Sequence, residues 1–182
     1  MFSFFSKRKQ RDAALVQEMV TAVRFRENLD RILVTYNLHV DPTARHKLLG
    51  EVAQAVVLIT KKAIEYSGKD YEKLSEKEAF VVGLVTIVAA DHLSRLAKVE
   101  FELTGLAAGH ALWTPLFGAT KSAEIVTSAA SEFNWLSQSP QHSEIIIAIG
   151  KNVANFFDTN DLACIENLRK PLEFLFARVL NS

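Results

Sequence analysis

Asp91, His92 and Arg95 are the residues of this chain whose types and spacing come nearest to a chemical device. On a helix, Asp91 and Arg95 share a face at i and i+4, and His92 neighbours Arg95 at i, i+3. A carboxylate beside an imidazole can orient it for general-base work, with the guanidinium as an anion clamp. The plainer reading is an intrahelical ion pair at the surface. Spacing alone does not separate the two, and ion pairs of this kind are the commoner case.

His110, Trp113 and Phe117 form a second group, in the run His110-Ala111-Leu112-Trp113-Thr114-Pro115-Leu116-Phe117. Breaks between bundle helices can line a pocket for a small apolar ligand or lipid, with a ring nitrogen or indole N–H fixing its orientation. Against this, aromatic side chains usually build core, and Trp113 and Phe117 would then close it beneath a loop. The same holds for Phe133, Trp135, Phe156, Phe157, Phe174 and Phe176.

Several chemistries are missing their signatures. None of the five histidines stands four residues from another, and none follows a Glu by three. That removes the zinc-protease helix and the Glu-x-x-His pairs of di-metal bundles, so no metal is expected. The seven glycines are scattered, with no phosphate-binding loop, and no nucleophile elbow occurs. No cofactor is expected either. Cys164 is the only cysteine, which excludes an internal disulfide, and it reads as a buried, inert thiol.

Charge is distributed unevenly. The first eleven residues hold Phe2, Phe4 and Phe5, then Lys7, Arg8, Lys9 and Arg11, and no acid. The chain as a whole has 21 Lys and Arg against 21 Asp and Glu, so the remainder carries a net −4. A greasy, cationic tip is suited to an anionic membrane surface or an acidic partner. Its plain alternative is a solvated chain end. A sequence pI near 7.0 with no other basic cluster gives no footprint for nucleic acid. The cations follow the aromatics instead of preceding a long apolar core, unlike a secretory signal, and a cytoplasmic setting is expected. The charge-free run from Ala79 to Ala90 is too short to span a bilayer and reads as interior.

The elements that must position these groups are helical. At 182 residues the chain can bury about 70% of its unfolded surface as one domain. Asp12 to about Tyr36 reads as a first helix, whose apolar stripe (Leu15, Met19, Ala22, Val23) rotates near Arg24-Phe25-Arg26 and points to a bend or a second contact surface. Asp41-Pro42 starts a second helix that stops at Ser67-Gly68; its centre, Val52 to Ile59, is apolar nearly all round. Ser75-Glu76-Lys77-Glu78 is a capping box opening a third helix, expected to reach about Leu103. Thr104 to Gly118 reads as a short helix and turn. Lys121 to Leu136 is a helix with a small-residue side that implies close approach to a neighbour. Ser139-Pro140 opens another to about Phe157, and the last starts at Asn160 or Asp161 with Pro171 as a kink.

The expected architecture is an all-α, single-domain bundle of six or seven helices around a central apolar pair, residues 12–182, preceded by the tip 1–11. The expected function is a non-catalytic helical protein–protein interaction module, attached peripherally to an anionic membrane face through its N-terminus. Its partner is another protein, or a second copy in a homo-oligomer. The alternatives are a bundle binding a small apolar ligand or lipid near His110, and an enzyme using Asp91 and His92.

Overall fold

The computed structural model describes residues 2–39, 47–140 and 143–180, without the side chains of 2–10, 12 and 178–180. Among these residues the helices are α1 (Phe2–Thr35), α2 (Lys47–Tyr66), α3 (Glu76–Ala97), α4 (Phe101–Gln138), α5 (Ser143–Thr159), α6 (Ala163–Glu166) and α7 (Arg169–Leu180). A 3₁₀ turn at Tyr71–Lys73 joins α2 to α3, and no strand occurs among them. The all-α bundle expected from the sequence is the architecture found.

Everything is arranged around α3. Its start is the expected capping box: the Glu78 N–H donates to Ser75 Oγ at 3.3 Å and the Ser75 N–H to Glu78 Oε2 at 2.9 Å. Residues 81–90 are all buried, because α1, α2, α4, α5 and α7 each pack against this helix. By length and composition α3 could cross a bilayer, yet 72% of its most apolar stretch is buried inside the bundle. Burial on every side explains why it shows no polar face. Its partner α2 contributes Val52, Val56 and Ile59, all without exposure. The one polar contact buried between the two helices is satisfied. Thr60 donates to the Val56 carbonyl at 2.9 Å, and its oxygen lies 3.2 Å from Thr86 Oγ1.

Besides the start of α1, at Phe2 instead of Asp12, three boundaries depart from the sequence reading. First, α3 stops at Ala97 instead of about Leu103. Lys98 turns left-handed (φ 55°), the Val99 N–H donates to the Ser94 carbonyl at 3.1 Å, and α4 restarts at Phe101. No glycine or proline marks this stop, so no local residue announces it. Second, α4 is two arms, 101–117 and 119–138, meeting at the single non-helical residue Gly118 (φ 80°, ψ 167°). The turn expected before Lys121 is therefore one residue long. The arms cross where a Cβ built on Gly109 would fall 2.1 Å from Val126 Cγ2, and Ser122 Oγ donates to the Gly109 carbonyl there at 3.2 Å. The small side of the second arm approaches α3 closely at Ala129, whose Cβ lies 3.1 Å from a Cβ built on Gly83. Third, Pro171 stands in the first turn of α7, where its missing N–H costs nothing, and the break falls before it at 167–168.

No glycine or proline interrupts residues 2–35, and α1 begins at Phe2. The cationic segment is thus continuous in backbone with the helix expected from Asp12. The stripe does rotate. Phe25, Leu29, Ile32 and Leu33 are buried, with the Phe25 ring stacked on Phe157 at 4.9 Å. Arg31 donates to the carbonyls of Phe157 (3.2 Å) and Asp158 (2.9 Å), capping the end of α5. The start signal Asp41-Pro42 lies outside the described residues.

Candidate functional site

Asp91, His92 and Arg95 stand on the last turns of α3, where burial gives way to surface. Two of the three are committed to each other: Arg95 Nη2 donates to Asp91 Oδ2, with the guanidinium largely exposed and the carboxylate largely covered. No hydrogen bond joins Asp91 to His92. Neighbours in sequence point about 100° apart on a helix, and the carboxylate has turned to the residue one turn on. The imidazole is therefore not oriented by Asp91 as a general base would require. Burial first, and Arg95 second, hold the His92 pKa below its ordinary value, so the ring is neutral at pH 7.

These residues nevertheless face a groove of about 550 Å³ between α3, the second arm of α4 and α5. Val88, Phe133 and Ile146 supply apolar wall, and Lys151 stands on the far side from α5. Sequence reasoning assigned Phe133 to the core and passed over Lys151 and Ile146. The spacing of Gly150 and Ala154, small residues one turn apart on α5, was the available signal that space opens there.

The second group is not gathered into one place. Trp113 is wholly buried, its ring 6.5 Å from Tyr71, whose hydroxyl donates to the Leu112 carbonyl. Its indole N–H has no acceptor among the described residues. Phe117 is half-buried against the core. His110 is exposed, with Nδ1 at 2.9 Å from Thr114 Oγ1, and lines a separate shallow groove of about 480 Å³ with Leu103, Leu106 and Ala123. Of the three, His110 alone lines that groove.

The tip residues Phe2, Phe4, Phe5, Lys7, Arg8 and Lys9 lie on helical backbone, with side chains outside what the structure describes; Arg11 is exposed. Downstream of them, residues 13–24 are all exposed, including Leu15, Val16, Met19 (68%), Val20 and Val23. Those five recur at helical spacing on the side of α1 opposite Glu18 and Phe25, which face the bundle; Glu18 reaches Lys98 at 3.4 Å. This is a second apolar face, left exposed by the described residues. No cluster of three or more His, Cys, Asp or Glu able to hold a metal occurs among the described residues, and Cys164 is half-buried with a free thiol.

No protein-family model matches this chain, and neither a curated protein nor a solved structure matches it.

Proposed function

We propose that this chain is a non-catalytic helical interaction module that attaches peripherally to an anionic, cytoplasmic membrane face through the outer arm of α1. The observation that carries the reading is the exposed stripe Leu15, Val16, Met19, Val20 and Val23, on a helix whose buried face is spent on the bundle. Exposed contiguous apolar surface is costly in water unless something covers it. The helix is led by Lys7, Arg8, Lys9 and Arg11, and no acid precedes Asp12. Each such cation near anionic lipid contributes about 1 kcal/mol, and an amphipathic helix lying in the headgroup region adds the burial of its stripe. The cytoplasmic leaflet is the one that displays anionic lipid.

A second reading comes from spacing. Val16, Val20 and Val23 recur at i, i+4, i+7, a seam that also suits a second copy of the helix. Parallel pairing would bring two cationic tips together, and charge therefore favours lipid.

The test is co-sedimentation of the full chain with neutral and with anionic liposomes. It should be repeated for a variant lacking residues 1–11 and for a Leu15→Gln/Met19→Gln/Val23→Gln variant. Salt-sensitive binding to anionic vesicles, lost in both variants, is the expected result. Absence of binding by the intact chain would overturn it, and concentration-dependent dimerisation abolished by the triple variant would install the second reading.

A further inference from the structure

We propose that the groove between α3, the second arm of α4 and α5 binds an amphipathic carboxylate, an acyl chain with a single anionic head. The inference does not depend on α1, which takes no part in the groove.

The groove is about 550 Å³ and as open to solvent as the one beside His110, and its surface divides by chemistry. Val88 at its base is buried, and Phe133 and Ile146 are half-buried, so the inner wall is hydrocarbon. Gly150 adds no side chain there: a Cβ built on it would still stand 3.8 Å from Val88. Ile147, on the lip, is a large apolar side chain left 51% exposed. An acyl chain lying along this wall would cover it.

The polar groups fix the sign of the head. Asp91 and Arg95 neutralise each other. Lys151, exposed on the rim, has no ion pair or hydrogen bond with any described residue, which leaves one unpaired positive charge among the residues lining the groove; Asp158, whose charge also acts on His92, stands outside that lining. His92 is half-buried and lines the groove, and its ring has no hydrogen-bond partner among the described residues, so it has an N–H left to donate. A carboxylate accepts from both Lys151 and His92. A cationic head would meet Lys151 unfavourably, and an uncharged one would forgo the charge-assisted hydrogen bond that the ammonium offers. Placing a single negative charge beside one spare cation, with an N–H donor adjacent, satisfies all three groups.

The experiment is calorimetric titration of the full chain with decanoate and with decanol, below their aggregation concentrations, with His92 ring resonances followed by NMR. The same titrations are made on Lys151→Met, an exposed substitution that leaves the packing untouched. Saturable decanoate binding that shifts the His92 resonances, exceeds decanol binding, and weakens about tenfold in Lys151→Met is the expected result. Absence of saturable binding overturns the proposal. So does decanoate binding that Lys151→Met leaves unchanged, or that leaves the His92 resonances unmoved, since either places the ligand elsewhere.

Discussion

The guanidinium of Arg26 lies 2.5 Å from the carboxylate of Glu51, and this pair marks where α1 begins to bury side chains in the bundle. Glu51 is only 4% exposed, and a second guanidinium nitrogen reaches it at 3.2 Å. Downstream of Arg26, α1 carries the buried residues Leu29, Ile32 and Leu33; upstream of Phe25, every described side chain is exposed. A buried carboxylate must be paired, so the contact pins the helix at its point of departure. Arg26→Ala should destabilise the protein by about 1–3 kcal/mol. A fully buried pair would cost more, but Lys47 remains at 3.9 Å and water reaches the guanidinium. Adding Glu51→Gln to that variant should recover part of the loss. Thermal unfolding followed by circular dichroism checks both, and additivity of the two substitutions would show that the pair does not act as a unit.

The outer stripe makes the opposite prediction. Leu15, Met19 and Val23 are each more than half exposed, so the triple Gln variant should keep its unfolding free energy within about 0.5 kcal/mol of the parent. A larger loss in urea unfolding would mean that the stripe is packed in solution.

The two glycines of α4 are needed for different reasons. A side chain at Gly109 collides with Val126, whereas at Gly118 nothing lies within 4 Å and the backbone conformation itself (φ 80°) resists a Cβ. Gly109→Ala should cost about 1–3 kcal/mol, with Val126→Ala in the same chain relieving part of it. Gly118→Ala should cost about 1–3 kcal/mol that Val126→Ala does not relieve. Chemical denaturation of the four variants distinguishes steric from conformational strain.

Acid should act through Glu78. Lys69 at 2.7 Å, then the Ser75 N–H, hold its pKa down at about 2, against 4.5 for the free group. A depressed carboxylate stabilises the fold above its unfolded pKa, and that contribution is lost as pH falls from about 4.5 toward about 2. It is on the order of 2–3 kcal/mol at neutral pH. Glu78→Gln should lower stability at pH 7 and flatten its decline across that acid window. Urea midpoints measured at several pH values would refute this if parent and variant fell in parallel.

What the sequence by itself determined is local. The Ser75–Glu78 box and the stop at Ser67–Gly68 each satisfy backbone groups with neighbours a few residues away, so they can be read without knowing the fold. The rotation of the α1 stripe near Arg24-Phe25-Arg26 was legible for the same reason: helical period alone assigns residues to sides, and the structure buries one side and leaves the other bare. Tertiary structure decided the rest. The stop of α3 at Lys98 carries no breaker residue, and the left-handed turn persists there because the Val99 N–H closes on Ser94 and α4 must fold back along α3. Asp91 could have served His92 or Arg95, and only rotamer and environment chose the guanidinium. Above all, the groove needs Val88, Phe133 and Lys151 from three helices, at separations along the chain that no spacing rule connects. Hydrogen bonds between near neighbours encode helices; cavities arise where packed helices diverge, and that geometry exists only once they have met.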